Sequence, residues 1–158
     1  MALTVRISDI QVAKAPEILV TYGLGSCIAL MLYDPLEQIG GMSHYMLPDS
    51  TTMSRRRPEA YADTALVLLK TKLLHLGGSP ARLRAKIAGG ASMFADIFPN
   101  PALSMGNRNI EAAHTLLREH NIPLMAEDVG GIIGRSVYFD VATGKVRIRY
   151  VSREETTI

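Results

Sequence analysis

Residues 27–33, Cys27-Ile-Ala-Leu-Met-Leu-Tyr33, are apolar almost throughout. The run reads as a strand, and a strand of that composition has to be covered on both faces. Asp34-Pro35 ends it with a turn signal, since Asp favours the first place of a turn and Pro presets the backbone of the second. Ile39 to Leu47 reads as the next strand, with Gly40-Gly41 as a bulge or a close approach. Upstream, Val5, Ile7, Ile10 and Val12 alternate with polar residues, and Glu17-Ile-Leu-Val-Thr21 is another short run.

Two segments have helical periodicity. Ala62, Leu66, Leu69, Leu73 and Leu76 recur in steps of three and four after Pro58, and Gly77-Gly78 is a natural stop. A second helix is expected over about 107–120, with Ile110, Ala113 and Leu117 inward and Asn121 and Pro123 beyond its end. Between the helices, 82–87 alternates strictly with a basic outer face. After them, 124–126, 136–141 and 145–151 read as strands, the last two joined by a hairpin at Ala142-Thr-Gly-Lys145. The order predicts an α/β fold of the α+β type, with mixed, largely antiparallel sheets covered by two main helices.

The chain has 158 residues, 47% of them hydrophobic and 20% charged, which suits one domain over 1–158 with one core. A formal charge of +2 gives no nucleic-acid footprint. No apolar run is long enough to span a membrane, and no signal-peptide pattern is visible, so a cytoplasmic protein is expected. The single cysteine, Cys27, excludes an intrachain disulfide and any multi-cysteine metal site; no metal or other cofactor is expected.

What the lone cysteine does turns on its neighbours. A free Cys is ordinarily a small buried hydrophobe. Here it follows Thr21-Tyr-Gly-Leu-Gly-Ser26, whose glycines permit unusual backbone conformations and bare N–H groups near the sulfur. Backbone N–H groups of Gly25, Ser26 and Cys27 are candidates to hold an oxyanion. A thiol nucleophile also needs a base. If Asp34 and Glu37 close a four-residue turn, residue 30 pairs with 41 and Cys27 lies directly opposite His44, on one face of the sheet. His75 and His120 sit at helix ends, and His114 falls on a buried stripe as a packing residue. Asp34, Asp49 and Thr21 are candidates for the group that orients the imidazole.

Thr21-Tyr-Gly-Leu-Gly-Ser-Cys27, followed by Gly40-Gly-Met-Ser-His44-Tyr-Met-Leu-Pro48, resembles the signature of the CheD family, the chemoreceptor glutamine deamidases. Lys86-Ile-Ala-Gly-Gly-Ala-Ser-Met93, Gly106-Asn-Arg-Asn109, Glu127-Asp-Val-Gly-Gly131 and Gly134-Arg135 fit as well. The resemblance implies a cysteine-dependent amidohydrolase of bacterial chemotaxis, with Cys27 as nucleophile, His44 as base and Thr21 as the third catalytic residue. The implied reaction converts glutamine side chains on the cytoplasmic helices of chemoreceptors to glutamate. The resemblance also implies a possible CheC-type phosphatase partner and a fold similar to the catalytic domain of cytotoxic necrotizing factor toxins. The rival reading is a binding module that mainly regulates that phosphatase.

Weaker signals carry less. Gly130-Gly-Ile-Ile-Gly-Arg-Ser136 lacks the lysine and the following helix of a phosphate loop, so Gly130-Gly131, like Gly89-Gly90, reads as a sharp turn. Arg55-Arg56-Arg57 and the basic faces of 82–87 and 145–149 are solvated surface or a landing site for acidic helices. Met42 and Met46 share the face of His44, as core or as an adaptable wall.

Overall fold

The structure is a computed structural model that describes residues 1–51, 56–92 and 104–158. In chain order it contains β1 (Ala2–Thr4), β2 (Ile10–Lys14), β3 (Ile18–Leu24), β4 (Ile28–Asp34), β5 (Ile39–Tyr45), α1 (Ala62–His75), β6 (Arg84–Gly89), α2 (Met105–Glu119), β7 (Leu124–Val129), β8 (Arg135–Asp140), β9 (Val146–Tyr150) and β10 (Glu155–Thr157). The strands form two five-stranded sheets, ordered β1-β3-β8-β9-β10 and β2-β5-β4-β6-β7. Among the described residues, only the β1–β3 and β6–β7 ladders are parallel. The α+β class, with mixed and largely antiparallel sheets and two helices, is as expected.

The apolar run at 28–34 is the middle strand of the second sheet, and its alternate residues enter two different cores. Ile28, Leu30 and Leu32 point to the helices, where they meet Leu66, Leu69, Leu73, Ile110 and Leu117. Ala29 and Met31 point to the other sheet, against Leu19, Leu24, Val137, Phe139 and Ile148. Burial of this strand at both faces, complete but for a partly exposed Tyr33, is why it lacks polar alternation.

Gly40 and Gly41 make no bulge, because the β5 ladders run through them on both sides. They are close approaches. A Cβ on Gly41 would lie 2.5 Å from Leu69 Cδ1 on the helix side, and one on Gly40 would lie 3.0 Å from the Phe139 ring on the sheet side. α1 stops where expected: Gly77 adopts φ +103° and the Gly78 N–H returns 3.0 Å to the Leu73 carbonyl. α2 is capped by Ser104, whose Oγ accepts from the Asn107 N–H at 3.2 Å.

Several surface expectations change. Lys86 is only partly exposed: it shares the inter-sheet side with Ala88 and donates to the Gly144 carbonyl at 2.9 Å. Arg82 is bound to Asp34. Arg147 and Arg149 do face outward, with Arg147 stacked 4.0 Å over the Tyr138 ring and paired with Glu155. Arg56 and Arg57 are exposed, and Arg55 lies outside the described residues. His114 leaves the apolar stripe and binds Glu127 on β7 at 2.6 Å. β1 and β10 carry no apolar alternation, being exposed edge strands, so the sequence pattern does not announce them.

Candidate active site

The path from β3 to β4 carries the chain from one sheet to the other. The β3–β8 ladder breaks between Thr21 and Leu24, where Gly23 takes φ +66°. Of the two glycines in this segment, only Gly23 uses the left-handed region. Residues 25–27 then cross to the second sheet with all three carbonyls anchored. Gly25 O accepts from Ala91 N at 2.8 Å, Ser26 O from Asn109 Nδ2 at 2.9 Å, and Cys27 O from Gly90 N at 2.9 Å. The Gly89-Gly90 turn grips this segment closely: a Cβ on Gly89, at φ +113°, would lie 2.3 Å from the Cys27 carbonyl oxygen.

The β4–β5 register differs from the expected one. Ala29, not Cys27, lies opposite His44, and Ile28 lies opposite Tyr45. The turn is the cause. Asp34 is the last paired residue rather than the first turn residue, its Oδ1 accepts from the Leu36 and Glu37 N–H groups, and Gln38 closes the loop at φ +52°. Direct opposition of Cys27 and His44 is therefore lost. The slip is two residues, however, and side chains alternate with a period of two, so the faces are unchanged. Cys27 packs against the inter-sheet core, the cluster that contains Ala29, Met31 and Met42. His44 lies on that side too, bonded to Thr21 of the opposite sheet. Cys27 stands one residue before the paired part of β4, where the ladder ends at Ile28 opposite Tyr45, and among the described residues no hydrogen bond joins its sulfur to the imidazole.

Thr21 fixes the imidazole. Its hydroxyl donates to the Val5 carbonyl at 2.6 Å, and a carbonyl can only accept. The Thr21 Oγ1 lies 2.9 Å from His44 Nδ1. With the hydroxyl's one proton directed at Val5, Oγ1 accepts, so Nδ1 carries the ring proton. That leaves Nε2 with its lone pair, and the Val5 carbonyl also pulls on the ring as a backbone hydrogen-bond acceptor. The His44 backbone is held as firmly, with its carbonyl bonded to Ser8 N at 2.8 Å and its N–H to Asp9 O at 3.1 Å.

Burial sets the protonation states. It pushes the His44 imidazole down to about 4, against weaker opposing pulls from the Val5 carbonyl and the Asp9 charge. It pushes the Cys27 thiol up, partly offset by the residue's own backbone N–H near the sulfur. At neutral pH the pair therefore rests as thiol and neutral imidazole, not as an ion pair.

The other expected residues fall elsewhere. Asp34 is at the far end of the hairpin, saturated by backbone N–H groups and Arg82. Asp49 bonds Thr51 in an exposed loop. Met42 is core, and Met46 is half-buried past the end of β5. Two buried polar residues bordering the site lie in motif segments, Gly106–Asn109 and Gly134-Arg135, to which the sequence assigned no role. Arg135, across the ladder from Leu24, holds the Asp128 carboxylate and the carbonyls of Asp128, Gly130 and Ile133. Asn109 has its side chain against the Cys27 turn. It stands four residues before Ala113 and eight before Leu117, a polar residue on the buried stripe, and that spacing was the available signal. Among the described residues, no three His, Cys, Asp or Glu side chains are grouped to hold a metal, and no helix is long and apolar enough to cross a membrane.

The fold is α+β, and it gathers Thr21, Cys27 and His44 on the inter-sheet side at one end of the β4–β5 hairpin. Residues 46–150 match the sequence model of the CheD family, described as CheD chemotactic sensory transduction. The chain belongs to this family. That match begins after Thr21, Cys27 and His44, but matches to individual relatives extend over nearly the whole chain. A protein of Desulfitobacterium hafniense (strain DSM 10664 / DCB-2), named probable chemoreceptor glutamine deamidase CheD, is 46% identical over 99% of this chain and 98% of its own. One of the same name from Thermococcus kodakarensis is 48% identical over 96% of this chain and 94% of its own. Among solved structures, the Bacillus licheniformis hypothetical protein YfiH superposes with a TM-score of 0.46 and 19% identity, over 76% of this chain and 49% of that one.

Proposed function

We propose that this chain, as one domain over 1–158, is a cytoplasmic chemoreceptor glutamine deamidase. It hydrolyses selected glutamine side chains on receptor helices to glutamate and ammonia, in the adaptation of bacterial chemotaxis. The observation that carries the reading is the Val5–Thr21–His44 relay, which presents His44 Nε2 as a base on the face shared with Cys27. The names of the relatives supply the substrate.

The chemistry balances with these groups alone. His44 Nε2 takes the Cys27 proton as the sulfur attacks the amide carbon, forming a C–S bond and an oxyanion. The N–H groups of Gly25, Ser26 and Cys27 are the proposed donors to that oxyanion. The Cys27 N–H already approaches its own sulfur. The imidazolium returns its proton to the departing nitrogen, the C–N bond breaks, and ammonia leaves a thioester. Water, deprotonated by His44, then cleaves the C–S bond, giving glutamate and the free thiol. Thr21 keeps Nδ1 protonated through the cycle and stabilises the imidazolium by accepting its hydrogen bond. A CheC-type phosphatase is the second partner in this reading.

Mass spectrometry of receptor cytoplasmic fragments, incubated with the wild-type protein and with Cys27→Ala, tests the proposal. Gln-to-Glu conversion is expected with wild type alone. Equal conversion with both, or none with either, overturns it.

A further inference from the structure

We infer that Asn109 is a positioning residue for the deamidation, holding the Cys27 turn and the His44 strand at a fixed separation. The inference rests on the Cys27–His44 reading above. Asn109 is fully buried, in the first half of α2. Its Nδ2 donates to Ser26 O and to Met46 O, each at 2.9 Å. Both partners are carbonyls, so the nitrogen has to face them and the amide orientation is fixed. Its backbone carbonyl accepts from the Tyr45 hydroxyl at 2.6 Å. One helical residue therefore binds the position before Cys27 and the two positions after His44.

The place of these bonds gives them their meaning. The β4–β5 ladder ends at Ile28 opposite Tyr45. Beyond it the strands part: Gly25 O turns to Ala91, while the Met46 and Leu47 N–H groups turn to the Ala60 carbonyl. The Asn109 amide enters where the next rung would form and bridges the two chains as they diverge. The sheet is thus open where the thiol has to admit a substrate, yet its two sides cannot drift. The arrangement leaves Asn109 Oδ1 buried with no partner among the described residues. An unsatisfied buried acceptor is unfavourable, and a residue placed for packing alone would be apolar like Ala113 and Leu117, which follow on the same stripe.

The test combines turnover with alkylation of Cys27 by iodoacetamide. Asn109→Ala is expected to lower kcat on a receptor fragment about tenfold to a hundredfold with KM nearly unchanged, the pattern of a misplaced reacting group. Alkylation should slow in Asn109→Ala and in His44→Ala, and the double variant should be no slower than His44→Ala alone. Leu117→Ala, a cavity on the same helix, should lower the melting temperature without slowing alkylation. Asn109→Asp keeps the shape and loses the amide donor; should Asn109→Ala fail to fold, it is expected to give the same kinetic pattern. Wild-type alkylation in a destabilised Asn109 variant, or losses that multiply in the double variant, would overturn the inference alone. Wild-type alkylation in His44→Ala would overturn the Cys27–His44 reading, and this inference with it.

Discussion

The β4–β5 hairpin buries a polar side chain at each end, and the two are satisfied in opposite ways. At the turn, both Asp34 oxygens are occupied: the Leu36, Glu37 and Ser79 N–H groups and the Arg82 guanidinium surround them. Burial alone would raise the Asp34 carboxyl, but the Arg82 bond and the three N–H groups hold it below its ordinary value. At the open end, His44 is neutral, its Nδ1 is bonded to Thr21, and the Val5 carbonyl and the Asp9 charge only partly offset its burial. A saturated charge fixes a turn. A neutral ring with one unused lone pair is available for chemistry. The same hairpin thus separates a structural polar group from a reactive one by counting what remains unbonded.

Substitutions at the two ends should break along that line. The largest effect belongs to the open end: Cys27→Ala should reduce ammonia release from a receptor fragment by about a thousandfold or more, with urea unfolding little changed. At the turn end, Asp34→Ala should cost about 3 kcal/mol in urea unfolding by orphaning buried donors, while kcat of the folded protein stays within about twofold. If Asp34→Ala lost turnover as Cys27→Ala does, the division would be wrong.

Acid sharpens the contrast. The folded state holds His44 near 4 against 6.5 in the unfolded chain, so between those values the unfolded state binds the extra proton and stability falls as pH falls. The total is roughly 3 kcal/mol, complete near pH 4. Asp34, depressed below 3.8, adds its loss only in stronger acid. Urea midpoints from pH 7.5 to 4 should therefore slope in wild type and flatten in His44→Asn. Next in size, Thr21→Val keeps the shape but removes the acceptor at Nδ1, and kcat should fall about tenfold to a hundredfold with a small change in melting temperature. The smallest effect is expected far from both ends. Arg147→Ala removes an exposed pair with Glu155 and a stack over the Tyr138 ring, and should move the urea midpoint by the equivalent of less than about 1 kcal/mol.

The sequence discloses the site better than its geometry. The apolar run at 28–34 and the helical stripe of α1 are visible because burial on two faces or one leaves a direct periodic trace. Gly40-Gly41 signals close contact, though it cannot say whether strand or helix makes it. The shared face of Cys27 and His44 survives a wrong register because the error is even, while their direct opposition does not. The register itself depends on Gln38 entering the left-handed region and on Asp34 binding its own turn, choices that a Pro-containing turn sequence leaves open. The role of Thr21 depends on Val5, sixteen residues away, accepting its proton. Asn109 is hidden by the same stripe that reveals α2, since a periodicity search counts apolar positions and passes over the polar one among them.

The raised Cys27 thiol has a consequence for oxidative chemistry. Peroxide attacks a thiolate far faster than a thiol. A cysteine held protonated until a substrate and His44 draw its proton away gives oxidants little sulfenic acid to form. In the proposed mechanism, the burial that weakens the resting thiol also lets it last: the anion forms as His44 takes the proton, during the encounter that uses it.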